Sequence, residues 1–112
     1  MDKIVKNIAP ETVLQLDKQV EILPGQVVSK TLAQNDAVSL TLFAFDKDEE
    51  ISTHESDGDA LVTVLEGTGK ITIDGKAYTL RAGESILMPA QKPHAVYAVE
   101  PFKMSLIVVF PK

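Results

Sequence analysis

The chain has 112 residues, 45% of them apolar, and no cysteine. One domain of this size buries about two-thirds of its unfolded surface without covalent staples, and the missing thiols exclude disulfide scaffolds, thiolate zinc sites and cysteine nucleophiles. A net charge of −5, with Lys and Arg scattered along the chain, lacks the basic stripe of a nucleic-acid binder.

The opening "MDKIVKNIAP" has neither an apolar h-region nor a small-residue cleavage site. No apolar run approaches the roughly 18 residues of a membrane span. The chain therefore reads as soluble, unprocessed and cytoplasmic, with no membrane partner. Residues 1–25 form an N-terminal strand or arm, in which "PETVLQL" after Pro10 is the one helical signal, a weak turn. "PGQVVSKTLAQND" opens on a Pro-Gly turn and closes on Asn-Asp. Val27, Ser29 and Leu32 do not alternate cleanly within it, which points to a bend or bulge. "AVSLTLFAFD" places Leu40, Leu42 and Ala44 on one face and Ser39, Thr41, Phe43 and Phe45 on the other, so both faces are covered. The acidic run "DKDEE" over 46–50 reads as a solvated loop.

"DALVTVLEG" alternates Ala60, Val62 and Val64 against Leu61, Thr63 and Leu65. "KITIDGKAYTL" is a hairpin, because Asp74-Gly75 suits the type I′ turn that joins two twisted strands. A glycine turn precedes a short strand at Ser85–Met88, which Pro89 stops; "HAVYAVE" and "FKMSLIVVF" follow, and Pro111 ends the last. Eight to ten short strands with frequent turns make this an all-β chain, a jelly roll or small barrel able to enclose one small-ligand cavity.

Chemistry is concentrated at two histidines. Residues i and i+2 of a strand share a face, so His54 points with Ser56, and His94 with Val96 and Ala98. If the two segments are neighbours, the imidazoles meet in the barrel mouth. "GTG" lacks the strand–loop–helix setting of a phosphate cradle, and its glycines read as turn geometry. Ser56 has no nucleophile elbow around it, and Glu66 reads as a solvent-facing strand end. No residue is assigned a catalytic role.

Two stretches carry a resemblance. "HESDGDALVTVLEG", within motif one at about 51–67, and "GESILMPAQKPH" at 83–94 resemble the two motifs of the cupin superfamily. Gly83, Pro89 and His94 fit the second motif's spacing, with Gln91 where the family usually has Gly. The first motif's pattern is His-x-His followed by Glu and then Gly. Counted back from Gly67, His54 takes the first His place, Ser56 the second, and Ala60 the Glu place. The resemblance implies a single cupin domain over 1–112, a double-stranded β-helix of the small group lacking the full three-His/one-Glu metal set. It leaves His54 and His94 as an incomplete metal pair, since neither a hydroxyl nor a methyl replaces the missing ligands. Glu55 and Asp59 fall on the opposite face by parity, unless a bulge at Gly58 re-aims Asp59.

The expected ligand-binding set is His54, Ser56, Ala60, Val62, His94 and Ala98, a mostly aliphatic lining with a few polar groups. The same residues also suit an ordinary barrel core. The opposite faces, assigned Leu61, Leu65, Phe43 and Phe45, are apolar enough to suggest a two-fold homodimer of the kind cupins form. Three functions follow: a binder of a small, largely apolar molecule without catalysis or cofactor; a metal-dependent enzyme of oxygenase, isomerase or lyase type using His54 and His94; or a protein-interaction or regulatory module.

Overall fold

The computed structural model describes residues 4–111; the first three residues of the N-terminal arm, and residue 112, lie outside the described residues. Among the described residues there are nine strands: β1 (Val27–Gln34), β2 (Val38–Phe45), β3 (Glu50–His54), β4 (Asp59–Glu66), β5 (Thr68–Ile73), β6 (Lys76–Arg81), β7 (Ser85–Met88), β8 (His94–Ala98) and β9 (Phe102–Val109). They form two antiparallel sheets, β1-β2-β9-β4-β7 and β3-β8-β5-β6, stacked as a jelly roll. No helix among the described residues is long and apolar enough to cross a membrane.

Local chemistry explains several joints. Asp74 and Gly75 both have positive φ (50° and 84°), as a type I′ turn requires, and Ile73 pairs with Lys76 across it. The register of β1 on β2 slips between Thr31 and Ala33, so the expected irregularity is a bulge at Leu32. At the β1–β2 turn, the Asn35 side chain accepts hydrogen bonds from the backbone N–H of Ala37 (2.8 Å) and Val38 (3.0 Å). The helical turn lies later than the sequence suggested: it is a 3-10 turn at Leu16–Gln19, while Glu11, just after Pro10, has a φ of 56°.

The main core fills the space between the sheets. Phe45 and Phe102 are fully buried cross-strand partners, with stacked rings 4.6 Å apart and an interplanar angle of 14°. A second cluster lies outside the five-stranded sheet, where the N-terminal arm brings Val20, Ile8 and Ile22 against Leu32, Leu42 and Ala44. Lys103 pins the arm by donating to the Asp17 carbonyl (2.7 Å) and lying 3.7 Å from the Glu66 carboxylate.

The proposed outer face is divided by this arrangement. Leu61 is exposed and Leu65 packs on the arm's cluster, but Phe43 and Phe45 turn into the barrel. With both faces of β2 apolar, alternation alone did not say which face turned inward. The uncovered part of the outer sheet carries Leu61, Leu87 and Val109.

Gly67 joins β4 to β5 with a φ of 80°, and a Cβ built there would lie 2.1 Å from the Pro101 carbonyl oxygen and 2.7 Å from Phe102 Cβ. Gly75 has a similar φ but open space around it. Gly67→Ala is expected to lower unfolding free energy by about 3 kcal/mol or more, because strain and a backbone clash combine. Gly75→Ala is expected to cost only the left-handed penalty, about 1–2 kcal/mol. Urea unfolding of the two variants checks this; equal losses would show that backbone conformation alone governs both sites.

Candidate functional site

Strand β3 pairs with β8 through Glu50↔Tyr97, Ile51↔Val96 and His54↔His94. Three steps along β3 match two along β8, so β3 carries a bulge between Ile51 and His54. Ile51 and His54 differ in parity, and without the extra residue they would face opposite ways. The bulge puts both on the cavity side, with Ser52 and Thr53 exposed.

The two imidazoles meet there. His54 Nε2 lies 3.0 Å from His94 Nε2, and the rings are edge-on, with centroids 4.2 Å apart. Each ring folds back onto the carbonyl two residues upstream: His54 Nδ1 to Ser52 O (2.9 Å), and His94 Nδ1 to Lys92 O (3.1 Å). A carbonyl only accepts, so a hydrogen in either of those two contacts comes from Nδ1, and a neutral pair, with two ring hydrogens, fills at most two of the three contacts. Burial holds the His94 imidazole below the ordinary histidine range, and repulsion from His54 adds to the effect; the Lys92 carbonyl and Glu55 oppose it. His94 is 4% exposed, whereas His54 lies at the exposed rim.

The pair borders a cavity of about 390 Å³ between the sheets. Its walls are Phe43 from β2, Ile51 from β3, Ala60 from β4, Met88 from β7, Val96 from β8, and Met104, Leu106 and Val108 from β9. Its polar lining is His54, His94 and Ser56. Ser56 Oγ accepts the Gly58 N–H (3.1 Å), which leaves its own hydrogen free to donate. The Ser56 carbonyl accepts the Gln91 N–H (2.8 Å), tying the two motif loops together. Gln91 has a φ of 65°, which explains why a glycine is usual at its place.

The profile of the cupin domain family matches residues 41–110. This chain is a cupin. Among solved structures it is similar to a conserved protein of unknown function from Streptococcus pyogenes, at 45% identity over 99% of this chain and 97% of that one, with a TM-score of 0.97. A cupin superfamily protein from Desulfitobacterium hafniense is 36% identical over 96% of this chain and 98% of that one, with a TM-score of 0.91. A cupin 2 conserved barrel domain protein from Leptotrichia buccalis is 44% identical over 86% of this chain but 47% of that one, with a TM-score of 0.84. No curated protein matches the chain.

Of the six residues assigned to ligand binding, His54, Ser56, Ala60 and His94 line the cupin's cavity; Val62 and Ala98 do not, and lie fully buried in the core cluster. Phe43, Met88, Met104, Leu106 and Val108 line it unanticipated, since nothing in one sequence says which strands cross at the mouth. The donor set does not fit a resident metal centre. Ser56 and Ala60 replace a second imidazole and a carboxylate, and no group of three or more His, Cys, Asp or Glu among the described residues can hold an ion. Asp59 is not re-aimed either, because its carboxylate accepts the Ala90 N–H at 2.8 Å.

The depressed affinity of His94 for a proton has a thermodynamic consequence. The unfolded chain, with His94 at its ordinary value near 6.5, binds more protons than the folded one as pH falls through that value. The stability present above the unfolded value is therefore lost on acidification. The urea midpoint is expected to fall between pH 7.5 and 5.5, and to fall less in His94→Asn. Parallel pH profiles for the two proteins would show that His94 does not carry the effect.

Proposed function

We propose that this cupin binds a small, largely apolar molecule in the barrel cavity and performs no chemistry on it. The observation that carries the reading is the cavity itself: about 390 Å³ with a chiefly aliphatic, methionine and phenylalanine wall and polar groups from only three residues. Pockets of this size and character take small ligands, with a few polar groups fixing orientation. The chain retains the scaffold motifs while Ser56 and Ala60 lack the donor chemistry of the family's metal ligands, which favours binding over catalysis.

One observation supports a second reading, a metal-dependent enzyme. Both imidazoles set Nδ1 against a backbone carbonyl and bring their Nε2 atoms within 3.0 Å of one another, and metal-ligating histidines are usually oriented through the other ring nitrogen in this way. The two readings separate cleanly on tag-free protein. Under the first, toluene, phenol or cyclohexanol binds saturably by calorimetry, binding survives chelation with EDTA, and Ala60→Phe weakens it at least about tenfold by filling the cavity. Elemental analysis then finds well under one metal per chain. A stoichiometric metal, lost in a His54→Ala, His94→Ala double variant and needed for binding, would replace the first reading with the second.

A further inference from the structure

We propose that Phe110 closes the outer end of the cavity and so sets how long a ligand the barrel accepts. The inference rests on the binding function proposed above and adds the residue that selects among ligands by length. Its ground is the way β9 leaves the barrel. Met104, Leu106 and Val108 line the cavity from alternate positions of that strand, and Phe110 is the next residue of the same parity.

The alternation continues past the end of the strand. The Phe110 N–H donates to the Ala37 carbonyl (3.0 Å), one step beyond the Val38↔Val109 pair, so the chain keeps its place beside β2. Pro111 follows, and a residue before proline is held in extended backbone. Val109 is 57% exposed, whereas Phe110 is half-buried and packs against the main core cluster. At this end of the barrel that cluster consists of Val108, of Ala60, which pairs with Val108, and of Met88, which pairs with Ala60. All three line the cavity.

The motif-one loop meets the same strand end from the other side. A Cβ built on Gly58 would lie 2.5 Å from the Val109 carbonyl oxygen and 2.8 Å from Val108 Cγ1, so the loop is seated directly on β9. Ser56 of this loop borders the cavity. Outside, Phe110 lines a surface depression with Asp57, Asp59, Ala90 and Pro111. One ring therefore stands between an apolar interior and a surface that carries two carboxylates. With its own N–H bonded and a proline after it, the ring is a wall and not a flap. A ligand that outgrows the cavity at this end meets it.

The test measures 4-n-alkylphenols, from phenol to 4-heptylphenol, by calorimetry against tag-free wild type, Phe110→Leu and Phe110→Ala. Wild-type affinity is expected to rise by about fourfold per methylene, the gain of burying one CH2, until the chain reaches the ring, and then to stop rising. In Phe110→Ala the break should come later in the series, and the first phenols beyond the wild-type break should bind about tenfold more tightly than they do to wild type. Phenol itself should bind both proteins about equally. Phe110→Leu, which keeps an apolar side chain against the core, should fall between them, and it supplies the same comparison should Phe110→Ala fold poorly. A break at one length in all three proteins, or no break in wild type, would overturn the inference while leaving the cavity as a binding site. Failure of every phenol to bind any of the proteins would overturn the binding reading itself.

Discussion

The site depends on one extra residue in one strand. Between Ile51 and His54, β3 spends three steps where β8 spends two. Strand parity then reverses, and an imidazole that simple alternation from Ile51 would send to solvent turns into the barrel. Everything specific to the cavity's polar end follows from this. The His54 ring reaches His94, its Nδ1 finds the Ser52 carbonyl inside the bulge, and the chain continues so that Ser56 borders the same space. Bulges commonly re-aim a side chain next to a functional site, and here the re-aimed group is half of the pair.

The rest of the barrel makes that pair matter. Met88, Met104 and the branched aliphatic residues form a wall with little polarity, so the polar atoms of the lining come from His54, His94 and Ser56. The two rings are held by their own backbone carbonyls, not by acidic side chains. Their orientation is therefore fixed without placing a counter-charge in the cavity. Low polarity also explains why burial holds His94 below the ordinary histidine range.

Much of the scaffold is legible in the sequence because its signals are local. The Asp74-Gly75 turn, the stop at Pro89 and the broken alternation around Leu32 each depend on a few neighbouring residues. The family resemblance likewise rests on short spacings, and the fold brings His54, Ser56, Ala60 and His94 onto one cavity. What the sequence left undetermined is non-local. Phe43 and Phe45 turn inward because the arm covers the other face of β2, a fact written some twenty residues earlier, at Val20 and Ile22. Val62 and Ala98 share the proper parity but are fully buried in the core cluster outside the lining, and period-2 reasoning fixes the face a residue looks toward, never its place along the barrel.

The N-terminal arm has a consequence beyond covering apolar side chains. Strand β1 is the end of its sheet, pairing with β2 alone. The Lys6 N–H donates to the Leu32 carbonyl (2.7 Å) and the Asn7 side-chain amide to the Thr31 carbonyl (2.7 Å), so the arm occupies two acceptors of β1. An edge strand with free acceptors is a template for another molecule's strand, and natural proteins cover such edges or interrupt them. The Leu32 bulge interrupts β1 and the arm caps it at the same place. The segment thus covers part of this sheet edge, as loops do where a bare strand would otherwise offer its acceptors to another chain.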